Sequence, residues 1–415
     1  MAFQTGLSGL NAASRSLDVI GNNIANANTT GMKASRAEFA DVVASSIGAG
    51  GGNNAGLGVA VETVSQTFTQ GNMSVTGNDL DVAVNGSGLF QLQMPDGTTS
   101  YTRAGNFKLD SLGTIVTNAG AKVMGYPTTA AGVPTSTTPG PLALPTGAPL
   151  PASATTTITA EFNLDASAAV YVPATNVPPY TTYGTALTVY DSQGNAIPFS
   201  VNFTRAASTT SPPAAQALDN WNVWDPALPP TNPANSPLFT MSFDATGKLV
   251  SPVAAPTVTI ATPSTTTPTI SASFDVLNAT QFAAPFGVSN LSQNGYVSGS
   301  FTGMKISENG VITARYSNGQ TQATGMLALA DFRNVQGLAP IGGNNWVETF
   351  ASGQPLLGQP GQGKFGATRA GTLEDSNVDL TAELVNMMTA QRAYQANAQT
   401  IKTQDQVMQT LVNLR

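Results

Sequence analysis

The sequence predicts a mainly β protein with α-helical termini, organised as nested domains. Three observations carry this expectation. Of the 27 prolines, 23 lie between Pro127 and Pro285, none precedes Pro95 and none follows Pro360. Proline lacks a backbone donor and clashes inside helices, so the ends are free to be helical and the middle is not. Apolar residues also recur every seven positions at both ends. Between the ends, short runs alternate apolar and polar residues and stop at turn-forming Asp, Asn and Gly.

At the N-terminal end Phe3, Leu10, Leu17 and Ile24 fall seven apart, with Leu7 between the first two. Leu17, Ile20 and Ile24 share a helical face, while Ser14 and Gly21 weaken the alternate seam position. Asn28-Thr29-Thr30-Gly31 supplies a stop. At the C-terminal end Leu380, Met387, Tyr394, Ile401 and Met408 keep the same period, and Leu384, Ala398 and Val412 take the alternate position. Gln391 and Asp405 interrupt that seam, either as register devices or because they sit near a solvated channel. Asp379 suits an N-cap and Glu383 a first turn. A helix from there to Leu414 is roughly 50 Å long at about 1.5 Å per residue. One apolar stripe on such a rod needs a partner.

The middle reads as strands. Phe90, Leu92 and Met94 alternate with Gln91 and Gln93 before the turn Pro95-Asp96-Gly97. Leu187 and Val189 precede Asp191-Ser192-Gln193-Gly194-Asn195, and Phe199, Val201 and Phe203 follow it. Ile312, Ala314 and Tyr316 lead into the hairpin signal Ser317-Asn318-Gly319. Residues from about 127 to 285 are rich in Pro, Thr, Ala and Ser, and their flanks hold more Gly. This shift predicts a terminal helical domain (1–30 with 373–415) and a connector (31–70 with 361–372). It also predicts an inner β domain (71–145 with 280–360) and an outer β domain (146–279) inserted in the inner one.

Composition excludes whole classes of function. The chain has no histidine and no cysteine. That removes Ser-His and Cys-His nucleophiles, His or Cys metal sites and disulfides. The net charge is −7 and charged residues are only 9%, so no cation cluster suits nucleic acid. The most tempting uncharged run, Val42 to Val61, is filled with Gly and Asn and does not suit a membrane span, which needs about 18 mainly apolar residues. No basic start followed by an apolar block marks a cleaved signal peptide. These features predict a non-enzymatic chain without cofactor, metal or membrane insertion.

Weaker signals have plainer explanations. Asp79 and Asp81 share a strand face, but turn and strand polarity accounts for them without acid–base work. Lys33 near Ser35 formally allows a Ser-Lys pair, with nothing to supply an oxyanion hole. The glycine run Gly48 to Gly58 lacks the Lys-Ser/Thr of a phosphate loop and reads as a connector. Trp221 and Trp224 read as neighbours in a proline-rich loop, a conceivable sugar platform.

Two stretches resemble a known family. Ser8-Gly-Leu-Asn-Ala-Ala-Ser-Arg-Ser-Leu-Asp-Val-Ile-Gly-Asn-Asn-Ile-Ala-Asn-Ala-Asn-Thr-Thr-Gly-Met-Lys33 is similar to the N-terminal signature of the bacterial flagellar rod and hook proteins, with Met32 where Phe or Tyr is usual. Ser376-Asn-Val-Asp-Leu380, Glu383-Leu-Val-Asn-Met387, Gln391-Arg-Ala-Tyr394 and Ile401-Lys-Thr-Gln-Asp405 resemble the C-terminal one. Gly77-Asn-Asp-Leu-Asp-Val-Ala-Val-Asn-Gly86 and Tyr101-Thr-Arg-Ala-Gly105 look like the family's inner β domain. The length, the inserted region and Val189-Tyr-Asp-Ser-Gln-Gly-Asn195 resemble the hook type of that family rather than the shorter distal rod type.

The resemblance implies a structural subunit of a flexible curved tube, a universal joint passing torque from rod to filament. It implies terminal helices that pair as a coiled-coil-like inner layer around an export channel, with two β domains outside. The assembly residues it singles out are Phe3, Leu7, Leu10, Leu17, Ile20 and Ile24 at one end. At the other they are Leu380, Leu384, Met387, Tyr394, Ala398, Ile401, Met408 and Val412. Phe39-Ala-Asp-Val-Val43 matches the family's Phe-x-x-x-hydrophobic export motif, although Phe39 and Val43 also fit one face of a helical turn. Implied partners are further copies of the chain, the distal rod protein, the hook cap protein, the hook-length control protein, the hook–filament junction protein and the flagellar type III export apparatus. The implied location is the extracellular flagellar hook. A rod or junction protein of the same family is the near alternative. A surface adhesin or glycan-binding β protein is the distant one, and it leaves the terminal signatures unexplained.

Overall fold

Thirty-four consecutive residues without glycine or proline form the C-terminal helix α2 (Leu380–Asn413). Its N-cap is Asp379, whose carboxylate accepts from the amides of Thr381 (2.8 Å) and Ala382 (3.2 Å). The N-terminal helix α1 spans Ala2–Ala25 and ends in turns that lead to Gly31. Gly31 has φ +70°, and a Cβ there would lie 2.5 Å from the backbone nitrogen of Ala104. Left-handed backbone and close approach both demand glycine at that stop. The computed structural model describes residues 2–42, 58–171, 183–211, 216–226, 236–263 and 267–413. Among them no helix is long and apolar enough to cross a membrane.

The chain divides into two compact units. The first comprises Met1–Gly147, Thr302–Arg315 and Thr321–Arg415. It holds both helices and a hairpin of β1 (Ser35–Val42) and β2 (Gly58–Gln66), antiparallel with a bulge at Glu38/Phe39. Its larger sheet runs in the order Phe301–Ile306, Val311–Tyr316, Thr321–Leu327, Lys122–Tyr126, Leu89–Gln93, Thr99–Thr102, Asn345–Val347, Ala339–Gly342. Outgoing and returning chain pair directly. Met73–Val75 lies against Thr372–Glu374, and Val82–Asn85 against Ala367–Ala370. That pairing is the physical form of nesting. Phe90 and Phe107 meet edge to face at 5.2 Å, and Tyr101 meets Phe332 in the same way at 4.8 Å.

The second unit comprises Ala148–Phe301 and Tyr316–Gln320. Residues 280–301, assigned to the inner domain on composition, therefore fold with the inserted unit. The reason is pairing: Gly287–Gln293 adds antiparallel to Thr157–Asp165, the strand that opens the unit. Thr157–Asp165 buries Ile158, Ala160, Phe162 and Leu164 at alternate positions. A second sheet runs Tyr183–Tyr190, Ala196–Ser211, Gln216–Trp224, Phe239–Phe243, Leu249–Ser251, each strand antiparallel to the next. One core joins the inner faces of the two sheets.

Trp221 and Trp224 are in that second sheet and not in a loop. Both are buried, and the Trp224 indole donates to the Thr204 hydroxyl at 2.9 Å. Tyr183 stacks between Trp221 (5.9 Å) and Phe286 (4.8 Å). The aromatic rings are thus spent inside the core, which withdraws the sugar-platform reading of this pair.

Turns close the hairpins with glycine in the left-handed region at Gly97, Gly194 and Gly319. At the second of these, Asp191 is fully buried and accepts from the Asn195 side chain (2.9 Å) and from the amides of Gln193 (2.9 Å) and Asn195 (2.8 Å). These donors, the Asn195 side chain foremost, hold its carboxyl below the usual range. Asp165 and Asp244 are held low in the same way by Ser167 and Thr246. A carboxyl whose folded pKa is depressed adds stability above its unfolded value, near 3.9 for Asp, and loses it as pH falls through the folded value. The second unit is therefore expected to lose stability in acid, beginning near about pH 4. Urea midpoints measured between pH 2 and 7 check this. Asp191→Asn is expected to flatten the acid limb of that curve.

Candidate assembly site and domain junction

Helices α1 and α2 pack against each other, but small residues make the contact. A Cβ on Gly6 would lie 3.2 Å from Ile401 Cγ1, and one on Gly9 would lie 2.9 Å from the Asn397 amide. Ala13 and Ile20 continue this buried side of α1. On α2, Met387, Ala390, Asn397, Ala398 and Ile401 are half-buried. At the far end Asn23 is buried, donates to the Ser35 carbonyl (2.8 Å) and Glu383 Oε1 (3.2 Å), and accepts from the Ser35 amide (2.9 Å). One asparagine thereby fixes α1, β1 and α2 together.

The expected seam is split by this geometry. Ile20 is buried, and Leu10, Leu17 and Ile24 are half-buried, but Phe3 and Leu7 stay 50% and 43% exposed. On α2, Met387, Ala398 and Ile401 are half-buried; Leu380, Leu384, Tyr394, Met408 and Val412 are exposed. Within one chain Gly6 and Gly9 of α1 approach Ile401 and Asn397 of α2, so part of the expected seam is enclosed and part stays exposed. Gln391 and Asp405 face solvent, the latter accepting from Gln409 at 3.0 Å.

Sequence reasoning missed the junction below the helices. Glu374 is fully buried and binds Lys33 Nζ at 2.6 Å and Arg103 Nη1 at 3.0 Å. It also accepts from the Gly71 amide at 3.0 Å, while its carbonyl accepts from the Gly31 amide at 2.8 Å. Lys33 donates further to the Thr69 carbonyl (2.8 Å), and Arg103 to the carbonyls of Val84 (3.0 Å) and Gly86 (2.5 Å). Asn377 adds a second clamp, accepting from the Ala34 amide (2.7 Å) and donating to the Thr67 carbonyl (2.7 Å). The Lys33 ammonium therefore serves Glu374 and not Ser35. Its membership of the N-terminal signature was the only signal in the sequence.

This triad carries two cations and one anion. Burial outweighs the Glu374 partner and lowers the pKa of Lys33 below its ordinary value. Burial lowers the pKa of Arg103 in the same direction. Removing one partner of a buried ion pair costs about 3–5 kcal/mol because the other charge is stranded. Glu374→Gln strands two cations and is expected to reach that range. Lys33→Met leaves a neutral Arg103–Glu374 pair and is expected to cost clearly less. Chemical denaturation of both variants, followed at the first unit, checks the order.

Phe39 is 41% exposed on β1, opposite Val61. It sits on a strand, so the helical-turn reading of Phe39 and Val43 is withdrawn; Val43 itself, and the glycine run up to residue 57, lie outside the described residues. Among the described residues no group of acidic side chains could hold a metal ion. Asp79 and Asp81 belong to no such group.

Paired terminal helices that carry exposed apolar side chains, joined to nested β units, have their relatives among the flagellar rod and hook proteins. Family models match along the chain: "Flagella basal body rod protein" over residues 3–33, the "Flagellar hook protein FlgE/F/G D1 domain" over 83–166, the "Flagellar basal body protein FlaE D2 domain" over 163–296 and the "Flagellar basal body rod FlgEFG protein C-terminal" over 369–414. Flagellar hook protein FlgE of Escherichia coli K12 is 42% identical and that of Salmonella typhimurium 40%, each over 100% of both chains. The Treponema pallidum hook protein is 34% identical over 99% of this chain and 98% of its own. The crystal structure of Helicobacter pylori flagellar hook protein FlgE2 has the same fold, with TM-score 0.55 at 18% identity, covering 71% of this chain and 99% of that one. The chain belongs to the flagellar hook protein family and is a structural subunit of the hook, not an enzyme.

Proposed function

We propose that the subunit polymerises through the exposed apolar faces of its terminal helices into a curved, bendable tube. One observation carries this reading: large apolar side chains at both termini, from Phe3 and Leu7 to Leu384, Met408 and Val412, stay 43–72% exposed in the single chain. Burying such a side chain is worth about 1.5–3 kcal/mol, so several of them drive association. Contacts between unlike faces of identical subunits do not close, and they generate an open helical filament. The terminal helices then form the innermost layer of the tube, and the whole acts as a universal joint between rod and filament.

The partners follow from that place. They are further copies of the chain, the distal rod protein below, the hook–filament junction protein above, the hook cap and length-control proteins during growth, and the type III export apparatus. The subunit works outside the cell, in the flagellar hook. Phe39, exposed on β1, together with Val43 is the proposed contact with the export gate. Phe39→Ala is expected to lower secretion of the chain while circular dichroism shows an unchanged fold; normal secretion would discard the motif.

Gold-labelled antibodies against the segment from Pro151 to Pro285 test the main reading on detached flagella. Label is expected on the short curved segment between cell body and filament. Label confined to a straight rod or to the filament junction would reassign the chain within its relatives, and label scattered over the envelope would support an adhesin.

A further inference from the structure

A pocket of about 290 Å³ lies within the first unit, where the turns after α1 meet the larger sheet. Thr29, Thr30, Thr117, Asn118, Gly343 and Asn345 are among its walls. Every lining residue is Thr, Asn, Ala or Gly, so the wall is polar, uncharged and free of aromatic rings. Asn345 differs from the rest. It is only 8% exposed, yet its carboxamide makes no hydrogen bond among the described residues. An unpaired amide at such burial is costly. Its oxygen and nitrogen are not sealed: both keep accessible surface at the pocket.

The hairpin that carries Asn345 is anchored. Gly342, Gly343 and Asn344 all have positive φ (93°, 62° and 58°), the left-handed turn that joins Ala339–Gly342 to Asn345–Val347. The Asn344 side chain donates to the Thr30 carbonyl at 2.9 Å, and its own carbonyl accepts from the Thr102 hydroxyl at 2.7 Å. Asn345 itself stands opposite Thr102 in the sheet. The backbone on both sides is thus fixed, and the unpaired amide is held at the pocket wall.

We propose that this pocket receives an extended, uncharged main-chain segment of a neighbouring copy, with one peptide group paired to the Asn345 carboxamide. A carboxamide presents donor and acceptor side by side, and one peptide group reciprocates both. A charged ligand would meet no counter-charge on these walls. The chain itself supplies small, neutral segments, with 41 glycines and only 9% charged residues. A hook subunit is surrounded by its own copies, which makes a second copy the occupant. The inserted segment and the pocket are different parts of the chain. The contact is therefore head-to-tail and holds between copies that all point the same way. This inference rests on the polymer reading above and adds a contact outside the helices.

Asn345→Leu removes the amide and keeps its bulk. The urea midpoint of the free subunit is expected to stay equal or rise, because apolar atoms replace an unpaired amide. Assembly loses two hydrogen bonds, so the critical concentration for polymerisation of the purified chain is expected to rise about tenfold. A structural role would lower the urea midpoint instead. That result would overturn the proposal, and so would an unchanged critical concentration, which would leave the pocket to water. Asn118, exposed at the pocket, gives a second measurement. In tubes assembled from the Asn118→p-benzoylphenylalanine variant, ultraviolet light is expected to give covalent subunit dimers cross-linked to an uncharged segment of the other copy. Assembled tubes without such dimers also overturn the proposal. If that variant does not assemble, the Asn345→Leu measurement decides. If the native chain forms no polymer, the polymer reading itself fails, which is a separate result.

Discussion

A single buried carboxylate ties the two ends of this chain to its β body. Glu374 lies just before α2, Lys33 just after α1, and Arg103 in the inner sheet region. Buried charges are tolerated only when paired and hydrogen-bonded. Glu374 meets that condition with two cations and the Gly71 amide. The two cations in turn find the carbonyls of Thr69, Val84 and Gly86. The geometry leaves little room for the segments to separate, since each departure would strand a charge. Asn377 and Asn23 extend the same clamp upward to β2 and to the helix pair. The signature residues Lys33 and Asn23 thus do structural work at the root of the helices, while large apolar side chains on the helices stay exposed.

Much of the fold was legible because its signals are local. The helix ends, the Asp379 cap and the glycine turns at Gly97, Gly194 and Gly319 depend on neighbours a few residues away. The Glu374 hub was not legible, because Lys33 is 341 positions from its partner and Arg103 is 271. The helix contact was misjudged for a different reason. Heptad counting weights large apolar residues, whereas this pair approaches through Gly6, Gly9 and Ala13, which carry almost no hydrophobic signal. The boundary of the inserted unit slipped for a similar reason. The strand Gly287–Gln293 has no proline, so it reads like the flanks, yet its hydrogen bonds go to Thr157–Asp165.

Small residues at the intrachain contact and large ones on the free faces are two sides of one arrangement. Glycine at Gly6 and Gly9 lets α1 and α2 approach closely with little apolar surface. A thin contact of that kind adds modest stability by itself, and isolated helices are marginal in water. The apolar area that would ordinarily lock a helical hairpin remains available to other copies. In the proposed polymer, helix order and subunit association are coupled, because the side chains proposed to join copies would also suppress fraying.

Where such a tube yields under load follows from how charge is distributed. Only 9% of residues are charged, and the strongest ion pairs, Lys33–Glu374 and Arg103–Glu374, are inside one subunit. Bending that broke them would strand buried charge, which is costly. The sequence is rich in uncharged Thr, Ser, Asn and Gln, whose contacts with water and with each other differ by only about 1 kcal/mol per hydrogen bond. Exchange of neutral contacts therefore costs far less than deformation of the subunit. In the proposed tube, bending would shift copies against one another while each copy keeps its junction intact.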